Sequence, residues 1–238
     1  MKKVLLFFTL ILFFSKIGFG MVPGPPLIAK CPECGHEKSL ISLLSGNTIG
    51  AVQWSDTYSY APMLPQVSEI QKCPECNVYF FMNDIETRYA DGNQSFQYSF
   101  DTGTLTFPEI KEALLLFEDA GLNQNNELVL RLEFLFRYND AFRNYSPDQY
   151  DRNPFEGNQE RNEVDVKLHK ENIIRLISLI DNENESNILK AELYREAGMF
   201  GECLLTLENC SAENDFLNYL ISRVREKALD SDSTVFQL

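Results

Sequence analysis

Clustered lysine and arginine are missing from this 238-residue chain, which sets 21 basic against 35 acidic residues for a net charge of −14. A phosphate backbone is gripped by runs or stripes of cations, so nucleic acid is excluded as an expected partner, and no basic face is present to lie on anionic lipid. Catalytic signatures are also absent. There is no His-Glu-x-x-His pair for hydrolytic zinc, no glycine loop to cradle phosphate and no nucleophile elbow. Histidine is scarce, and neither copy sits in a ligand cluster: His169 reads as ordinary surface or core, and His36 as a solvated neighbour of a cysteine pair. These gaps point to a protein that is not an enzyme.

Long apolar runs are also lacking. The longest, Val4 to Phe14, follows Lys2 and Lys3 and falls short of the roughly 20 residues that a spanning helix needs. It has the length of a signal-peptide core, and Gly18 and Gly20 place small residues at the −3 and −1 positions of a cut before Met21. Residues 1–20 are therefore expected to be a signal peptide, giving an exported, periplasmic or extracellular chain with no stable membrane insertion. If Met21 is the true start, the protein is cytoplasmic.

What remains divides near Phe107. A hydrophobic content of 44% supports an ordinary core. Residues 21–107 hold prolines and short aromatic runs, "VYFF" (78–81) and "FQYSF" (96–100), that read as strands and loops. Beyond Pro108 the apolar spacing turns helical. Six helices are expected, with Ile110, Leu114 and Phe117 inward on the first and Leu128, Leu132, Leu135 and Phe142 inward on the second. Residues 144–162, polar and holding two prolines, should form a loop. The fold class is α+β, mostly α: a small β module at 21–107, then antiparallel helical hairpins at 108–238.

Within the helical part, "AELYREAGMFGECLLTLENC" (191–210) orders small Ala191, aromatic Tyr194, Gly198, Phe200, small Cys203, Leu207 and Cys210. That order resembles the tetratricopeptide repeat, in which small residues let two helices approach and large ones fill the groove. Cys203 and Cys210, seven apart on one expected helix, lie too far apart for a disulfide and read as small core residues.

The remaining four cysteines are written as a repeated word. "KCPECG" (30–35) and "KCPEC" (72–76) place Cys31, Cys34, Cys73 and Cys76 as two C-x2-C pairs. Four thiolates suit tetrahedral Zn2+, and two pairs in matching contexts mark a zinc ribbon. Proline fixes each turn so that following amides point at the sulfur, and Gly35, with Asn77 at the matching position, supplies the backbone freedom the knuckle's end requires. Because all four positions are filled by cysteine, the zinc is expected to be structural, with no open place for water. Two alternatives use the same residues: a thiol–disulfide protein of the glutaredoxin type, and a rubredoxin-like iron centre.

Between the knuckles, "SGNTIGAVQWSD" (45–56) and "APMLP" (61–65) are specific words for a spacer. Their order resembles a group of uncharacterised bacterial proteins, common among Bacteroidetes-like sequences, in which a zinc-ribbon-like region precedes tetratricopeptide-like helices. The resemblance runs from about Pro25 onward and implies that architecture without an activity. Trp54, Met63 and Leu64 should cover the metal site or dock it onto the helices. The functional expectation is a zinc-binding protein-interaction or scaffolding protein whose partner is another protein.

Overall fold

The computed structural model describes residues 20–91, 97–118, 120–143, 160–181, 184–211 and 214–238, with the side chains of 184 and 185 excepted. The expected signal peptide, apart from Gly20, and most of the expected loop at 144–162 lie outside these residues. Among the described residues no helix is long and apolar enough to cross a membrane.

The amino-terminal part is made of short antiparallel strands: β1 (Val22–Pro23), β2 (Leu27–Lys30), β3 (Glu37–Leu40), β4 (Leu43–Ser45), β5 (Val52–Gln53), β6 (Ser59–Tyr60), β7 (Ile70–Lys72), β8 (Tyr79–Phe81) and β9 (Thr87–Tyr89). They pair as β1–β4, β3–β2–β9, β5–β6 and β7–β8. Residues 97–100, in a run read as strand or loop, form no strand. There the Ser99 hydroxyl donates to the Ser39 carbonyl at 2.8 Å and accepts from the Asp101 amide, so side-chain bonds displace a ladder. Phe96 is outside the described residues.

Six helices follow: α1 (Phe107–Phe117), α2 (Gln124–Asn139), α3 (Glu163–Leu179), α4 (Asn184–Glu196), α5 (Phe200–Glu208) and α6 (Asp215–Leu229). Their starts are written in the sequence. Thr106 with Glu109, and Asn162 with Asp165, form capping boxes, while the Asn123 and Asn214 side chains accept from the third helical amide.

Helix α2 is the central element because it is apolar on two faces. Leu130, Phe134 and Tyr138 pack with Ile70, Tyr79 and Phe81 of the strands and with Ile110 and Leu114 of α1. Leu128, Leu132 and Leu135 pack instead with Ile173, Leu176 and Leu193 of α3 and α4. The strands of the second cysteine-bearing hairpin and the first two helices thus share one core. The second face was expected; Phe142 was expected with it but lies beyond the helix end and is exposed.

A third cluster joins α4, α5 and α6. Ala191, Cys203 and Leu207 are fully buried there, with Tyr194, Phe200 and Cys210 packed around them. The α4–α5 turn is closed by the Gly198 amide on the Arg195 carbonyl at 2.9 Å, with Gly198 at φ +76°. Helix α5 ends at Glu208, so Cys210 is past the helix on which it was expected, and its thiol donates to the Thr206 carbonyl.

A buried ionic junction ties the spacer of the β module to α2 and α4. Arg143, fully buried, donates from both Nη atoms to Asp56, at 3.1 and 2.5 Å, and from Nε to Asp140 at 3.0 Å. Its guanidinium lies over the rings of Trp54 and Tyr58. Asn139 donates to both Asp56 and Glu196. Burial, with the carboxylates of Glu192 and Asp56 nearby, holds the Glu196 carboxyl well above the usual carboxylate range. The chain's last residues complete this junction: the Ser55 amide donates to the Phe236 carbonyl, and the Leu238 amide to the Gln53 carbonyl, both at 2.9 Å. Trp54 docks the module here, as one of the expected alternatives had it, whereas Met63 and Leu64 stay exposed.

Two predictions follow from this packing. Arg143→Ala leaves Asp56 charged and unpaired in the interior, and should cost about 3–5 kcal/mol in urea unfolding. The second concerns His169, a core residue stacked on Tyr138 with ring centroids 3.7 Å apart and its Nδ1 unpartnered. Burial, with Arg161 and Lys170 adding to it, lowers its pKa from 6.5 to about 3. The neutral ring is the form that the fold accepts, so this stability is complete above 6.5 and is lost as pH falls through 3. Acid unfolding of His169→Phe should show a smaller loss than the native chain across that window.

Candidate metal centre

Each C-x2-C pair is the turn of a hairpin. The first lies between β2 and β3, beyond the Lys30–Glu37 pair, and the second between β7 and β8, beyond Lys72–Tyr79. The backbone bonding is the same in both. The Cys31 amide donates to the His36 carbonyl at 2.8 Å and the Gly35 amide to the Cys31 carbonyl at 3.0 Å; the Cys73 amide donates to the Val78 carbonyl at 2.9 Å and the Asn77 amide to the Cys73 carbonyl at 3.0 Å. Gly35 has φ +75° and Asn77 φ +61°, the left-handed conformation that closes each knuckle. Asparagine tolerates it better than other residues with a side chain, which is why the second copy manages without glycine.

The two knuckles face one another. The four Sγ atoms lie within 4.8 Å of each other, with Cys31 at 3.6 Å from Cys76 and Cys34 at 3.5 Å from Cys73. Sulfurs at tetrahedral corners about 2.3 Å from a zinc ion are about 3.8 Å apart, so the cluster has the size that such an ion requires. No pair is bonded as a disulfide. Cys31 and Cys73 are buried against Phe80, with Met82 and Ile85 beside them, while Cys34 is exposed.

The electrostatics show why four thiols at one point call for a cation. Burial opposes ionisation of Cys73, but the amides of Cys76 and Glu75 and the neighbouring thiols outweigh it and lower the pKa to about 6. At Cys76 the Val78 amide favours the thiolate, yet burial and the three other sulfurs push it up to about 12. Cys34 is raised as well, against the pull of the His36 amide. One thiolate is welcome and further ones repel it, a conflict that a divalent cation removes.

Comparison with family models, with curated proteins and with solved structures gives no match to this chain. The site therefore rests on its own geometry.

Cys31, Cys34, Cys73 and Cys76 are brought together as the repeated word implied, and His36 is not among them. Its ring is 3.9 Å from Glu75, while its carbonyl closes the first knuckle. Sequence reasoning did not find the ionic junction. Asp56 entered only as the end of the spacer word at 45–56, and its partner Arg143 lies 87 positions away, with no local pattern to connect them.

The conformation of Asn77 can be tested directly. Asn77→Val forces a β-branched residue into the left-handed region and should cost about 1–2 kcal/mol, with weaker metal retention, whereas Asn77→Gly should match or exceed the native chain. Thermal unfolding and metal content of the two variants report the difference.

Proposed function

We propose that this chain is a non-catalytic, exported protein-interaction or scaffolding protein whose β module is fastened by a structural Zn2+ held by Cys31, Cys34, Cys73 and Cys76. The observation that carries the metal assignment is the convergence of four thiols from two hairpins with matching knuckles. When bound, zinc would supply a fixed tetrahedral tie and a positive charge among the thiolates. With cysteine at all four corners it would have no place for a substrate. The interaction role is supported by the α4–α5 hairpin, where Ala191, Tyr194, Phe200, Cys203 and Leu207, whose order along the chain resembles a tetratricopeptide repeat, lie in one apolar cluster. A zinc-ribbon-like module followed by a short tetratricopeptide-like domain is the architecture we infer.

The competing reading is a thiol–disulfide or rubredoxin-like redox protein, and the readily ionised Cys73 is the feature that favours it. Metal analysis separates the two. Purified protein should be colourless, carry one zinc per chain, lose it to a strong chelator with unfolding of the module, and lose it in Cys73→Ser. Coloured iron-containing protein, or a metal-free form with cycling disulfides, would replace the proposal with the redox reading. A partner recovered specifically by the zinc-loaded chain is the expected outcome of affinity capture, and none recovered would remove the scaffolding role.

A further inference from the structure

The buried junction at the end of α4 holds one carboxyl more than its guanidiniums pair. Arg143 turns Nε toward Asp140 and both Nη atoms toward Asp56, and Asp140 also accepts from Arg137. Arg195, fully buried, grips both oxygens of Glu192 through Nε and Nη2 and gives Nη1 to the Asp232 carbonyl. Glu196, the last residue of α4, is left with a single donor. Its Oε2 accepts from the Asn139 side-chain nitrogen at 2.8 Å, while its buried Oε1 has no hydrogen-bond partner among the described residues.

That one donor is shared. The same Asn139 nitrogen donates to Asp56 at 2.9 Å, so its two hydrogens hold an oxygen of Asp56 and one of Glu196 about 5 Å apart. The other groups around Glu196 offer no uncommitted positive charge. On α4 itself stand Glu192 and its partner Arg195. Helix α2 contributes the Tyr138 phenol, which burial holds neutral above its usual value of 10. Asp140 and Arg143 follow α2, and Asp232, beyond α6, is paired with Lys227. Glu196 also sits at the carboxyl end of its helix, where unpaired carbonyls carry partial negative charge. Among the described residues only the four cysteines bring three or more ligand atoms close enough for a metal ion, so the charge that completes this junction is a proton. Burial and the carboxylates of Glu192 and Asp56 push the Glu196 carboxyl in the same direction.

Asp56 is also the anchor of the chain's last residues. In the adjoining stretch the Ser55 amide donates to the Phe236 carbonyl, the Phe236 amide to the Ser55 hydroxyl and the Leu238 amide to the Gln53 carbonyl, with Val235 packed on Trp54. A second negative charge beside Asp56 disturbs the point from which this segment is held.

We propose that Glu196 is a proton-operated latch: with its carboxyl protonated the spacer and the last residues are closed onto α2 and α4, and its ionisation as pH rises sets it against Asp56 and loosens both. The fold favours the neutral carboxyl, so this contribution to stability is complete below about 4.5 and is lost as pH rises through the folded value, the opposite sense to His169. The latch rests on neither the metal nor the scaffolding role.

Two measurements on the full chain from about pH 6 to about pH 9 test it: carbon-13 NMR of the Glu196 carboxyl, assigned through its backbone, and hydrogen exchange of the Ser55 and Leu238 amides. The carboxyl should be protonated at the lower limit and titrate within the range. Alongside it the protection factors of the two amides, corrected for the base-catalysed intrinsic rate, should fall at least tenfold while metal content stays constant. E196Q, which has the size of the protonated acid and keeps an acceptor for Asn139, should retain its protection throughout. A carboxyl already ionised at the lower limit or still protonated at the upper one would overturn the proposal. So would protection that stays constant while Glu196 titrates, a fall that follows metal loss, or an equal fall in E196Q. Should the variant not fold, the two native measurements decide by themselves.

Discussion

Four sulfur atoms from two distant hairpins share one small volume, and the arrangement of the β module follows from that constraint. Its strands are two to four residues long and its pairings fall into four separate small sheets. Two-stranded pairs of this length are marginal in water by themselves. The apolar cluster under the cysteines, with Phe80 at its centre, is too small to hold two hairpins against chain entropy. A tie through the knuckles meets that need without a larger core. It also explains why the intervening segment can be given over to loops and a cleft.

The module is anchored at two further places, and the physics differs between them. Ile70, Tyr79 and Phe81 of the second hairpin enter the same apolar core as α1 and α2, which fixes its position by packing. At the other end Asp56 enters a buried junction where Arg143 neutralises it, under the ring of Trp54 and against the returning carboxy-terminal residues. Apolar contact tolerates small displacements, whereas a buried ion pair does not, because a lost partner leaves a desolvated charge. The spacer is therefore held at a definite height over α2. That position brings Glu69 and Tyr58 to the same cleft as Glu133, Phe136 and Arg137.

Much of this was legible locally because the signals involved are local. The duplicated Cys-Pro-Glu-Cys word foretold both knuckles, and the left-handed residues Gly35 and Asn77 occupy the positions expected of them. Helix starts carry local signals too: the Asn162 and Asn214 side chains accept from amides three positions on, and the Thr106 hydroxyl donates to the Glu109 carboxylate. Leu128, Leu132 and Leu135 were read as an inward stripe and are one. The periodicity of α2 hid its other face, since a helix packed on two sides carries apolar residues almost all round and no single stripe reports both. The run at 97–100, read as strand or loop, forms no strand, and the Ser99 hydroxyl there bonds the Ser39 carbonyl and the Asp101 amide.

The sequence by itself determined the ligand-type residues, their knuckle geometry, the order of strands and helices and the acidic character of the chain, because each depends on neighbours within a few positions. Only the tertiary structure decided that the two knuckles face each other at contact distance, that Asp56 meets Arg143, and that Glu69 and Glu133 line one cleft. Those pairings are between residues 39, 64 and 87 positions apart or thereabouts. They are selected by the packing of α2 between two apolar layers, and no short window of sequence contains the energy of that packing.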